Sequence, residues 1–376
     1  MATADSLALQ HPPESGRVVA RHYRSGEAYR ISWDEAGILQ EMEVTKEATG
    51  DLWFAPGLTD LQVNGYAGID FQNAEGITES QLLHVSRTLR QDGCRRILLT
   101  LITAPWQQML SGIRHLRHLI NGHAELRQTF VGWHIEGPFL SNQPGYSGAH
   151  PHELMLAPLS SHIEELAEIT AGDIVLLTLA PECEGAGTAI KLAIGHGFQV
   201  SLGHSNASAN QLKSAVSAGA NAFTHLGNGC PQLLDRHDNI LWRVLDTPAL
   251  TIGLIPDGIH VSPQLFRILH ALRRSGGIYW TTDAMSAAAA PPGYYSLGQS
   301  RLWVGEDLVV RNPDTQSFAG SALTPIEGVR RGAAMLGYSW REVWDYFSVH
   351  PARLVGLPSD LAVGSPAGFC LLRSTD

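Results

Sequence analysis

Four side chains stand where they could do chemistry together. Glu136, His204, His225 and Asp283 each end or directly follow a short apolar run. Two imidazoles and one carboxylate can hold a divalent ion and leave one coordination position open for water, the ligand count of a catalytic rather than a structural zinc site. An ion held this way acidifies its water towards neutrality and polarises a carbonyl. A further carboxylate, Asp283, can then take the water's proton and pass it to a leaving amine. The chemistry expected from this set is metal-dependent hydrolysis.

The apolar runs themselves fall at 58–63, 96–103, 130–135, 174–180, 199–202, 222–226, 250–255 and 278–282. Most are rich in Val, Ile and Leu and do not alternate, as strands buried on both faces of a parallel sheet should read. Amphipathic stretches lie between them, for example 79–91 and 209–218, with apolar residues on a helical period. Eight such units over 57–352 predict a (β/α)8 TIM-type barrel. Polar groups then sit at the carboxyl ends of six of the eight runs: Gln62 and Asn64 on the first, His134 and Glu136 on the third, His204 on the fifth, His225 on the sixth, Asp257 and His260 on the seventh, Asp283 on the eighth. Barrel enzymes gather their reacting groups on that face. The chain has 17 histidines, so some must fall near strands by chance. His134 reads as a hydrogen-bonded core residue, and His84, His115, His118, His123, His162, His196 and His270 as surface groups on helices or turns. Matched depth on several strands is what packing alone does not explain.

Segments 17–56 and 353–376 carry short strand-like pieces without partners of their own. Pairing them predicts a small β-sandwich domain made from both chain ends. Residues 1–16, polar with a Pro-Pro pair, are expected to lack structure.

The net charge of −10 shows no basic stripe, which argues against a nucleic-acid partner. Cys94, Cys183, Cys230 and Cys370 are too far apart for a thiolate zinc knuckle and read as small apolar fillers. The first residues lack the basic and apolar regions of a secretory signal, and the longest apolar runs are too short to cross a bilayer. A cytoplasmic enzyme with no membrane partner, acting on a small molecule, is expected.

The local sequences are specific. PGLTDLQVNG at 56–65, HIEGPF at 134–139, SLGHSNAS at 201–208, THLGN at 224–228, DGIHV at 257–261, TTDAM at 281–285 and AGSALT at 319–324 occur in this order. Together they resemble the N-acetylglucosamine-6-phosphate deacetylases of the amidohydrolase superfamily. The resemblance implies a barrel with a small β-sandwich, removal of acetate from the acetamide of an N-acetyl amino sugar 6-phosphate, and a homodimer. It implies that Glu136, His204 and His225 hold the metal and that Asp283 is the catalytic aspartate. It places substrate contacts at Ala149, His150, Asn228, Gly229, Arg236, His260, Phe318, Ala319 and Gly320. Many amidohydrolases carry His-x-His on the first strand and bind two metals. Gln62 and Asn64 offer neutral amides there, poor ligands for borderline metals, so one divalent ion is expected with both amides just outside its ligands. Zinc leads, with iron, manganese and cobalt also compatible with the donor set.

The phosphate contact departs from the family pattern. Arg236 stands eight residues after Asn228, where the family places its phosphate arginine, but Asp235 and Asp238 flank it and could pair with it instead. The lysine pair that precedes the family's Gly-x-His is replaced by Pro144-Gly145-Tyr146-Ser147. The alternatives are an unphosphorylated or epimeric N-acetyl amino sugar, another small N-acyl compound, and a non-catalytic sugar-binding barrel. The last would be expected to have lost one of the four central residues, and all four are present.

Overall fold

Non-alternating apolar runs become strands covered on both faces. In the computed structural model they form β1 (Leu58–Val63), β2 (Cys94–Ile102), β3 (Phe130–Glu136), β4 (Ile174–Leu179), β5 (Gln199–Leu202), β6 (Ala222–Phe223), β7 (Thr251–Leu254) and β8 (Ile278–Trp280). The structure describes residues 7–10, 15–35, 37–273, 276–313, 318–359, 361–366 and 368–374. The eight strands pair in chain order, each parallel to the next. The ring closes between β8 and β1 through a bridge from Val63 to Ala284 and a hydrogen bond from the Asn64 N–H to the Ala284 carbonyl at 2.7 Å.

A helix follows every strand, and its limits are set locally. Glu79–Gln91 starts on a Thr78–Gln81 capping box and buries Leu82, Val85 and Leu89 against the sheet. Ala209–Ala218 starts on a Ser208–Gln211 box and stops at Gly219, whose φ of +119° ends the helix. After β8 the helix is Pro325–Leu336. A Cβ on its Gly332 would lie 2.3 Å from the ring of Trp280, which is fully buried. Gly332→Ala should gain ~1 kcal/mol in helix propensity and lose ~3 kcal/mol to overpacking against a ring with nowhere to go. A lower melting temperature is the expected result.

The chain ends share one six-stranded sheet, in the order Ala8–Gln10, Phe369–Arg373, Leu52–Pro56, Gly16–His22, Ala28–Trp33, Leu39–Val44. All its pairings are antiparallel except that of Gly16–His22 with Leu52–Pro56. Ala20, Ile31, Trp33, Leu39, Phe54, Phe369 and Leu371 form its own core. Residues 1–16 are therefore not wholly without structure: Ala8–Gln10 pairs along Phe369–Arg373 because that edge would otherwise be open. Residues 1–6 and 11–14 lie outside the described residues. The small domain is fastened to the barrel by Trp344, whose ring nitrogen donates to the Pro56 carbonyl at 2.8 Å, and by Trp340, which donates to Ser374 Oγ at 3.3 Å. Both rings are buried, so they serve packing within the chain.

One further expectation changes, and one element was not foreseen. His270 is buried rather than superficial, because its Nε2 accepts the Trp280 ring N–H at 3.0 Å. Between β8 and its helix lies an antiparallel sheet of Gly293–Leu297, Ser300–Val304 and Val310–Arg311, which the sequence reading did not anticipate. Among the described residues no helix is long and apolar enough to cross a membrane.

Candidate active site

Glu136 ends its strand, and His204, His225 and Asp283 sit just past theirs, on backbone that turns sharply. His204, His225 and Asp283 have φ of +48°, +30° and +51°. Residues with a Cβ avoid this region, and holding one there costs about 1 kcal/mol or more. Three such residues around one cleft mark a place where side-chain aim was favoured over backbone ease. The turn at His225 also explains why β6 stops at Phe223. Two glycines make room for His204: a Cβ on Gly148 would lie 2.9 Å from its ring, and one on Gly229 2.7 Å.

Glu136, His204 and His225 are all buried, and one donor atom from each lies within 4.8 Å of the others. Glu136 Oε1 is 2.8 Å from His225 Nε2 and 3.3 Å from His204 Nε2. His204 Nδ1 is 2.9 Å from the Tyr146 carbonyl, which requires the proton on Nδ1 and turns the Nε2 lone pair inward in the neutral ring. Burial pushes the Glu136 pKa up, but hydrogen bonds and positive charge from His204 and His225 overcome it and hold the carboxyl well below its ordinary value. Burial lowers the His225 pKa, and the Glu136 carboxylate, with help from Asp283, reverses this into a net rise. A carboxylate facing two Nε2 atoms, with both amide atoms of Gln62 buried beside the same strand ends and without a partner among the described residues, fits a divalent ion.

Asp283 is half-buried and accepts the Asn64 amide N–H at 2.7 Å. Burial raises its pKa to about 6, against the pull of His225, His260 and Asn64. His150 Nδ1 accepts the Thr103 backbone N–H at 3.3 Å and lies 2.8 Å from the Thr103 hydroxyl. Burial and then the neighbouring His204 lower its pKa to about 3, so the ring is neutral and its hydrogen is on Nε2, 3.9 Å from Glu136 Oε2. His260 Nδ1 is 2.6 Å from Asp257 Oδ2, and its Nε2 is buried without a partner among the described residues.

These groups open onto one cleft of about 570 Å³, lined by Asn64, Glu136, His150, His204, His225, His260 and Asp283 together with Ala149, Asn228, Gly229, Phe318, Ala319 and Gly320.

No protein-family model matches the chain. It is 32% identical over 329 residues to the N-acetylglucosamine-6-phosphate deacetylase of Danio rerio, covering 85% of this chain and 80% of that protein. The chain belongs to the N-acetylglucosamine-6-phosphate deacetylase family. Within the deacetylase family and its near kin it is also similar to an Escherichia coli N-acetylgalactosamine-6-phosphate deacetylase, at 30% identity over 317 residues, 83% of this chain and 80% of the other. A solved deacetylase of the family, a variant from Mycobacterium smegmatis in complex with N-acetyl-D-glucosamine-6-phosphate, superposes with a TM-score of 0.82 at 26% identity, covering 94% of each chain.

The deacetylase residues read from the sequence do not all reach the cleft. Gln62 is buried but does not line it. Arg236 lies outside it, exposed on the loop after β6. Nor does Arg236 pair with its neighbours: Asp235 takes the His237 and Asp238 N–H groups at 2.7 and 3.0 Å, and Asp238 pairs with Arg243 at 2.6 Å. The described cleft lining contains no lysine or arginine. Two contributors, Thr103 and Leu297, went unread, and Asp257 was placed at its strand end without its role. Thr103 follows β2 and fixes His150, but a lone threonine at a strand end carries little signal. Asp257 orients His260, a role its Asp-x-x-His spacing could have suggested. Leu297 arrives from the unforeseen sheet after β8.

Proposed function

We propose that the chain hydrolyses the acetamide of N-acetylglucosamine 6-phosphate to glucosamine 6-phosphate and acetate. The observation that carries this reading is the buried Glu136–His204–His225 set sharing one small cleft with Asp283, in a chain of this deacetylase family. Glu136, His204 and His225 would hold one divalent ion, which when bound would supply an acidified water and a Lewis acid for the acetamide carbonyl. Asp283, held by Asn64, takes the proton of the attacking water and returns it to the departing sugar amine. The His150 Nε2 hydrogen, fixed by Thr103, donates to the carbonyl oxygen as it becomes an oxyanion. His260, fixed by Asp257, orients a sugar hydroxyl through Nε2. The backbone of Ala149, Asn228, Gly229 and Phe318–Gly320 shapes the sugar pocket, and Gln62 supports the metal side from behind. Arg236 is free to bind the 6-phosphate, to which a planar guanidinium is well suited.

Two observations favour a second reading. The Escherichia coli relative acts on the galactosamine epimer, and the cleft lining holds no fixed cation. Acetate release should be measured on N-acetylglucosamine 6-phosphate, on N-acetylgalactosamine 6-phosphate and on N-acetylglucosamine. The proposal requires the first to be turned over best. A charge-assisted hydrogen bond contributes about 1.5–3 kcal/mol, so Arg236→Ala should raise KM for the phosphorylated sugar by roughly 10- to 100-fold. KM for the unphosphorylated sugar should not move. Equal changes for both would remove Arg236 from the phosphate.

A further inference from the structure

Asp60 lies on β1, is completely buried, and belongs neither to the cleft lining nor to the metal cluster. It spans the seam where the barrel closes. There the ladder between β8 and β1 is reduced to the single Val63–Ala284 bridge, whereas every other neighbouring pair of strands shares at least two paired residues. Asp60 Oδ1 accepts the Thr281 hydroxyl and, at 3.2 Å, the Gln62 N–H. Its Oδ2 accepts the Thr282 hydroxyl at 2.6 Å and the Thr282 N–H at 3.1 Å. The Thr282 hydroxyl in turn accepts the Ala284 N–H at 3.1 Å. Asp283 is thus bracketed: one hydroxyl ties the residue before it to the residue after it, and Asp60 anchors that hydroxyl to the opposite strand. Ser321 completes the cage, donating its hydroxyl to the Thr282 carbonyl at 2.6 Å and its N–H to the Asp283 carbonyl at 2.8 Å.

A buried carboxylate is costly unless its oxygens are satisfied. Here the donors that satisfy it belong to the two residues leading into Asp283 and to Gln62 on its own strand. Asp283 itself keeps a φ of +51°, which a residue with a Cβ would relax if it could.

We propose that Asp60, acting through the Thr282 hydroxyl, is a positioning residue that holds the backbone of Asp283 in its left-handed turn and so aims the proton-carrying carboxylate into the cleft. This rests on the reading of Asp283 as the proton carrier. A clamp that only closes the barrel would set the melting temperature and leave turnover by folded protein untouched. A clamp that aims Asp283 sets kcat, because a misplacement of about 1 Å can cost ~10²-fold in rate.

The test compares metal-loaded wild type with Asp60→Asn, Thr282→Val, Thr282→Ser and the double variant Asp60→Asn/Thr282→Val. It reads kcat and KM for acetate release from N-acetylglucosamine 6-phosphate, together with bound metal and melting temperature. Asp60→Asn and Thr282→Val should each lower kcat by roughly 10- to 100-fold, with KM and metal content close to wild type. Thr282→Ser keeps the hydroxyl and should restore kcat to near the wild-type value. The double variant should be no worse than the poorer single one, since both break the same link. Near-normal kcat in Thr282→Val and in folded Asp60→Asn, or losses that multiply in the double variant, overturns the proposal. If Asp60→Asn does not fold, the Thr282→Val and Thr282→Ser pair still decides. Wild type without deacetylase activity would instead overturn the function on which the inference rests.

Discussion

Asp283→Asn should lose about 10³- to 10⁴-fold in turnover while binding its metal as wild type does, because the carboxylate serves as both base and acid within one cycle. The substitution keeps size and shape, and an amide can neither accept the water's proton nor return one. None of Glu136, His204 and His225 depends on Asp283 for its position, so metal content should be preserved. The pH profile separates this role from a purely structural one. Burial raises the Asp283 carboxyl to about 6. The base must be ionised, so wild-type kcat/KM should fall as pH drops through a limb at about 6 or, with a cation held close by, below it. The residual activity of the variant should lack that limb. Stability should move the other way. Folding raises this carboxyl above its ordinary value of 3.8, so its contribution is most favourable below that value and is lost as pH rises to about 6. Metal-free Asp283→Asn should therefore melt no lower than wild type above about pH 7. A variant that keeps a tenth or more of wild-type activity, in the ~10⁻¹ range rather than 10⁻³, contradicts the assignment.

Removal of the metal should be as damaging. Chelation is expected to abolish acetate release, and about one divalent ion per chain should restore it, since the donor set provides for one site. Gln62 and Asn64 stand where a second ion would need imidazoles, and the Asn64 amide is already committed to Asp283. His225→Ala should give a protein that neither binds the ion tightly nor turns over. The Glu136 carboxylate raises the His225 pKa in the metal-free chain, so a proton competes with the ion for that ring. Metal affinity measured by calorimetry should weaken as pH falls. Two tightly held ions per chain would overturn the single-metal account.

Much of this was legible in the residues, and the gaps have physical reasons. Parallel strands buried on both faces leave continuous apolar runs, so the barrel could be counted, and the helical period of the apolar residues placed 79–91 and 209–218 at the right residues. The Glu136–His204–His225 cluster was readable because these residues interrupt apolar strand ends with groups that packing alone does not call for. The sheet at 293–311 was missed because its strands are short and half-exposed and are joined by turns that carry Gly298 and Gly305, a pattern shared with loops. Asp60 was missed because a single carboxylate inside an apolar run shows nothing of the Thr281 and Thr282 hydroxyls that meet it from 221 and 222 residues away. Arg236 shows the opposite limit: its spacing from Asn228 matched the family, but spacing along a loop does not say where the loop points.

The most direct test follows the products themselves. Metal-loaded protein mixed with N-acetylglucosamine 6-phosphate and followed by proton NMR should show free acetate and glucosamine 6-phosphate rising in equal amounts, with neither formed after chelation nor by His204→Ala. Absence of acetate from the metal-loaded wild type, or acetate formed equally well by His204→Ala, would contradict the account.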